Sequence, residues 1–305
     1  MKKHPIILLL AVSVGLMIFG CKKREDMPSV FFGTAISADG VSIKYEVRGT
    51  GDPALIFVHG WSCDRSYWSA QLPYFARKHL VAAIDLAGHG ESGLDRKEWT
   101  MGAFGEDVVA VVKKLDLDKI VLIGHSMGGP AIIEAARRMP EGIIGLVVAD
   151  FLQDFERKYS QEFVDGWINS LSPDYAAAVK KFVAEALFIK KSDPALVEKI
   201  AEDMSSAPQE VGMGAIRGEF AFLNDLTRIV KEVRAPITCI NSDVELTKSK
   251  VNRRYAPGFR ARIMSGVGHF NMMEDPETFN SLLEETVKEY VRNASEKKGG
   301  ENVQH

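Results

Sequence analysis

Cysteine is scarce in this chain: three in 305 residues, too few for a disulfide framework. Charge of one sign is scarce as well. The 38 lysines and arginines face 41 aspartates and glutamates, and no basic block stands out. A net charge of −3 spread this way argues against a nucleic-acid partner. There is no run of metal ligands and no glycine-rich phosphate loop, so neither a metal nor another cofactor is expected. The apolar run from Pro5 to Gly20 falls short of the roughly 20 residues that a comfortable membrane span needs. What remains is a chain with 46% hydrophobic residues, long enough for one large α/β domain with an insertion and too short for two full enzymes.

The chain is organised around Gly124-His125-Ser126-Met127-Gly128. Before it runs Lys119-Ile120-Val121-Leu122-Ile123, apolar and β-branched, which predicts a buried strand. After it, Ala131 to Arg138 predicts a helix. Gly-x-Ser-x-Gly between a strand and a helix is the nucleophile elbow, a turn so tight that its flanks need residues without a Cβ. Such a turn lifts the Ser126 hydroxyl above the sheet. It also leaves the Met127 N–H free at a helix start, where it can hold an oxyanion.

Three further stretches accompany it: His59-Gly60-Trp61, Asp85-Leu86-Ala87-Gly88-His89-Gly90-Glu91-Ser92 and Gly266-Val267-Gly268-His269-Phe270. With all four in this order, the sequence resembles the α/β-hydrolase superfamily over about residues 32–292. The resemblance implies an α/β fold: a mostly parallel central sheet flanked by helices, with a helical cap insertion. Residues 32–150 and 234–292 would form the core. Residues 151–233, which show helical spacing and no strand signal, would form the cap over the site. The family uses the Asp85–Ser92 loop structurally, so no catalytic role is expected there. The Trp61 N–H, by family position, would be the second oxyanion donor.

The N-terminus reads separately. A basic start, the apolar run and the junction Ile18-Phe19-Gly20-Cys21 resemble a bacterial lipoprotein signal, in which Cys21 is lipidated. An uncleaved signal anchor with a chance cysteine is the alternative. Residues 1–21 are therefore set apart from the fold, residues 22–31 read as a polar tether, and residues 293–305 as a disordered polar tail. The expected location is the bacterial cell envelope, held to a membrane by the lipid anchor.

A serine hydroxyl is a weak nucleophile without a base. His269, in a glycine-flanked loop after the last strand, is the candidate. An imidazole in that role needs a carboxylate to fix its tautomer. Asp243 and Asp150 both satisfy the order serine, acid, histidine, and both follow predicted strands. The usual family position favours Asp243, with Asp150 as the alternative and Glu245 a more distant third. The expected catalytic set is thus Ser126, His269 and Asp243, with Trp61 and Met127 as the oxyanion hole. The expected activity is hydrolysis of a carboxylic ester in a small acyl substrate. The same constellation also serves lactone, amide, thioester and carbon–carbon cleavage, and a non-catalytic binding protein could keep it. Cys63 and Cys239 are expected as thiols rather than a bridge.

Overall fold

A computed structural model of the chain describes residues 29–301. Cys21, the signal-type segment and most of the tether lie outside the described residues, as do residues 302–305. Eight strands form one sheet: β1 (Val30–Ile36), β2 (Ser42–Arg48), β3 (Ala54–Val58), β4 (Val81–Ile84), β5 (Ile120–His125), β6 (Ile143–Ala149), β7 (Ile237–Ser242) and β8 (Arg260–Met264). Their order is β1-β2-β4-β3-β5-β6-β7-β8. The first hairpin and the β2–β4 pair are antiparallel, and every other pair is parallel. β1 begins at Val30, which pairs with Arg48, so the last two residues assigned to the tether belong to the sheet.

β3, β4 and β5 are buried along their whole length, which is why they read as continuous apolar runs rather than alternating ones. Helices α2 (Met101–Lys114) and α3 (Gly128–Arg138) pack on each other and on the sheet, as do α1 (Gln71–Phe75) and α10 (Pro276–Glu301). α10 corrects the expected tail, since the helix runs on through residues 293–301. Polarity had stood for disorder, but Ala294, Glu296, Lys297 and Lys298 are good helix formers. They extend a helix that packing has already nucleated. Two very short helices, α8 (Ser249–Asn252) and α9 (Asn271–Glu274), lie in the loops that follow β7 and β8.

Between β6 and β7 the chain leaves the sheet for four helices: α4 (Gln161–Leu171), α5 (Tyr175–Ala186), α6 (Pro194–Ser205) and α7 (Gln209–Ile229). The breaks between them are written locally. Ser160, Asp174 and Asp193 each accept a hydrogen bond from the first turn of the helix that follows, and Pro194 opens α6. Each such cap is worth about 1 kcal/mol. Among the described residues no helix is long and apolar enough to cross a membrane.

The loop after β4 is structural. Asp85 accepts hydrogen bonds from the amides of Arg65 (2.8 Å) and Glu91 (2.9 Å) and pairs with the Arg65 guanidinium. His59 Nε2 accepts from the Leu86 amide at 3.0 Å, which ties this loop to the one after β3. Burial pushes His89 down to about 3 and His59 down to about 4, so both stay neutral. Beneath the loop, Asp107 accepts from the Ala87 amide at 3.0 Å and from buried Arg96 at 3.0 Å.

Candidate active site

Ser126 sits between β5 and α3 with φ at +50°, in the left-handed region. For a residue with a Cβ this costs about 1–2 kcal/mol. Two backbone hydrogen bonds hold it there: Ser126 N–H to Ala149 O (3.0 Å) and Gly129 N–H to Ser126 O (2.8 Å). The two flanking glycines are steric necessities. A Cβ at Gly124 would lie 2.3 Å from Gly128 O, and one at Gly128 would lie 2.5 Å from Val58 O. Gly60 is pressed just as closely on the elbow, since its Cβ would come within 2.9 Å of His125 Nδ1 and 3.2 Å of Ser126 Cβ. The backbone of Gly60 and Trp61 therefore runs directly beside the serine. Among the described residues, neither the Trp61 nor the Met127 amide donates a hydrogen bond to a protein group. Two unused donors next to a raised hydroxyl are what an oxyanion site requires.

His269 stands in the loop after β8. Its backbone is pinned from both sides: the His269 amide donates to Leu187 O in the helical insertion (2.8 Å), and His269 O accepts from His125 Nε2 in the elbow (2.9 Å). His125 is thereby used structurally, and burial drives its pKa well down, so it is neutral. The His269 Nδ1 contacts a carboxylate oxygen at 2.9 Å. A carboxylate only accepts, so Nδ1 carries the proton and Nε2 keeps its lone pair.

That carboxylate is Asp150, not the expected Asp243. Asp150 follows β6 with φ at +46°, and its amide donates to Ile240 O at 2.9 Å. Its Oδ2 faces His269, while its Oδ1 accepts from the Ser242 amide at 2.6 Å. The Ser242 amide thus holds the acid in place from the neighbouring strand. Asp243 comes one residue later, past the end of β7, where its amide donates to Met264 O at 3.0 Å. It is exposed, and its Oδ1 accepts from the Gly266 amide at 3.2 Å. Glu245 pairs with Arg157 at the surface.

Ser126 and His269 line one cavity of about 190 Å³ beneath the insertion. Its wall is largely aromatic, with Trp61, Trp167, Phe182 and Phe220 among the lining residues. The Trp61 indole reaches across to the insertion, where its N–H donates to Gly212 O at 2.8 Å. One lining residue was missed in the sequence. Glu219 of α7 is 7% exposed and lines the same cavity. A signal was present: Ala215, Ile216, Phe222, Leu223 and Leu226 mark the buried face of α7, and Glu219 sits in the middle of it. Cys63 and Cys239 are both free and buried. Burial pushes the Cys63 thiol up, which leaves it protonated and unreactive. Among the described residues no group of side chains is arranged to hold a metal ion.

Comparison with known proteins agrees with this fold. The family model described as "Alpha/beta hydrolase family" matches residues 55–282. A 3-oxoadipate enol-lactonase from Acinetobacter baylyi is 23% identical over 87% of this chain and 100% of its own. A dihydrolipoyllysine-residue acetyltransferase component of the acetoin cleaving system from Cupriavidus necator is 22% identical over 80% of this chain. The match spans 66% of that relative, just under two thirds of its length. Among solved structures, a thermophilic esterase from Thermogutta terrifontis superposes with a TM-score of 0.75 at 23% identity, covering 85% of this chain and 99% of that one.

Proposed function

Because the chain belongs to the alpha/beta hydrolase family, we propose that it is a serine hydrolase that cleaves a carboxylic ester or a related acyl bond through an acyl-enzyme. The single observation that carries this reading is the His269–Asp150 pair at 2.9 Å, with His269 on the wall of the cavity that also holds Ser126. Ser126 Oγ attacks the substrate carbonyl and passes its proton to His269 Nε2. The carbonyl oxygen becomes an oxyanion, held by the Trp61 and Met127 amides. Asp150 stabilises the imidazolium that forms. Collapse of the tetrahedral intermediate expels the alcohol, which takes the proton from His269. Water then enters by the same steps in reverse order, leaving the acid and free Ser126.

The small aromatic cavity favours short or compact substrates over long acyl chains. The test is turnover of p-nitrophenyl esters of graded chain length. Short esters should be cleaved, and Ser126→Ala should lower kcat by roughly 10⁴-fold or more at unchanged Tm. Near wild-type turnover in that variant would remove the mechanism. We further propose that residues 1–21 direct export and that Cys21 carries a lipid, which would hold the enzyme at the cell envelope.

A further inference from the structure

A carboxyl group buried among hydrocarbon is costly unless a partner compensates it. Glu219 has no hydrogen-bond or ion-pair partner among the described residues. It projects from α7 onto the wall of the reaction cavity. No lysine or arginine lines that cavity. The titratable groups that do are Cys63, Tyr159, His125 and His269. None of them supplies a fixed cation: the buried thiol and His125 are neutral, and His269 is engaged by Asp150. Aromatic rings make up much of the rest. Trp61 meets Trp167 at 5.8 Å, Trp167 meets Phe182 at 5.5 Å, and Trp167 meets Phe220 at 6.1 Å, all edge to face. A pocket that took only an alkyl chain would gain from an apolar side chain at residue 219, because the helix face there is otherwise apolar.

We propose that Glu219, together with the rings of Trp61, Trp167, Phe182 and Phe220, forms a box for an organic ammonium group carried by the substrate. The rings attract a cation through their quadrupoles. The carboxylate supplies the opposite charge from a side chain that is itself buried on an apolar helix face, where that charge is weakly screened. The ligand in turn supplies the partner that Glu219 lacks. Burial alone pushes this carboxyl up to about 8, so an arriving cation has only a short way to draw it back to its ionised form. The box selects the substrate; Ser126 and His269 perform the chemistry. The inference rests on the serine-hydrolase reading for where the substrate reacts, but not for what the box binds.

The two are therefore tested apart. In the full-length Ser126→Ala protein, binding of the trimethylammonium ester acetylcholine is compared by calorimetry with that of its uncharged carbon isostere, the dimethylbutyl ester of acetic acid. The ammonium ester should bind about tenfold tighter or more. Adding Glu219→Gln, which keeps the size and removes the charge, should bring the two within about twofold of each other. The far-UV spectrum of the double variant checks that it is folded. Equal binding of the two esters, no binding of the ammonium ester at millimolar concentration, or a preference that survives Glu219→Gln would each overturn the box. Tighter binding of the uncharged ester, weakened by Glu219→Gln, would overturn it too and make Glu219 a hydrogen-bond donor instead. Turnover by the wild type decides the other question. Selective binding without hydrolysis of either ester would sink the serine-hydrolase reading and leave the box standing. Hydrolysis of both without preference would do the opposite.

Discussion

Replacing Asp150 by asparagine changes one atom, and the structure dictates how the new amide must sit. Oδ1 of Asp150 accepts from the Ser242 amide at 2.6 Å, a backbone donor that cannot turn away. The asparagine oxygen is therefore held toward Ser242, and its NH₂ is forced toward His269 Nδ1, now 2.9 Å from a donor instead of an acceptor. The imidazole answers by moving its proton to Nε2. In that tautomer it cannot take the proton of Ser126. The expected loss in kcat is up to about 10⁴-fold, or on the order of 5 kcal/mol of transition-state stabilisation. Folding should hardly notice, since the Ser242 hydrogen bond survives and only its charge assistance is lost, about 1 kcal/mol. Asp243→Asn removes the charge from one exposed contact with the Gly266 amide and should leave kcat within about twofold. Steady-state kinetics on a short p-nitrophenyl ester and a thermal melt of each variant are sufficient. An Asp150→Asn protein that keeps more than about a tenth of wild-type kcat would refute the argument. So would an Asp243→Asn protein that loses activity at unchanged Tm.

Three other outcomes are expected. Burial holds Glu219 at about 8 against an ordinary 4.5, so between those values the folded protein binds a proton that the unfolded chain does not. Its contribution is complete below about pH 4.5 and is lost as pH rises from there through 8, on the order of 5 kcal/mol. In denaturant melts, Glu219→Gln should therefore gain on the wild type from pH 5 to pH 8, and a constant difference between the two would contradict this. Asp107→Ala would leave Arg96 buried with its link to Asp39 at 2.7 Å and a longer one to Ser37 Oγ at 3.4 Å, and should cost about 3 kcal/mol; a loss under about 1 kcal/mol would show that the pair is not what holds the loop after β4. Cys21→Ala should abolish incorporation of labelled fatty acid in a bacterial host, and an unlabelled wild type would end the lipoprotein proposal.

Much of the site was legible because it depends on local rules. The elbow announces itself in glycines whose absent side chains make room for backbone, and His269 in a loop after the last strand. The buried strands were legible as apolar runs for the same reason. The acid was not legible. Asp150 and Asp243 both follow strands and both precede His269, yet only Asp150 touches it. What separates them is the register between β6 and β7, which brings the Ser242 amide to Asp150, while Asp243 lies exposed past the end of the strand. Register is a property of the assembled sheet, not of either segment. The polar end of α10 was misread for a related reason: composition reports what a segment can do alone, while this helix grows from a packed one. Glu219 stood in plain sight on an apolar helix face, but only the cavity gives that placement a meaning.

The hydrogen bond from Ser242 to Asp150 has an evolutionary side. Asp150 is the last residue before the chain departs for α4 to α7, and Ser242 lies at the end of the strand on which it returns. The bond ties together the carboxyl ends of β6 and β7, parallel strands already paired at Ala149 and Ile240, while the excursion itself returns at the other end of β7, at Ile237 beside Leu146. The segment between Asp150 and Ile237 can vary in length, since the entropy of closing a loop grows only with the logarithm of its size. The link from the insertion back to His269 uses the Leu187 carbonyl, which any residue but a displaced one can offer. Exchanging the segment between Asp150 and Ile237 would keep the Ser242–Asp150 bond, since both of its partners lie outside that segment. On the proposed mechanism, such an exchange would change the substrates taken and leave the reaction the same.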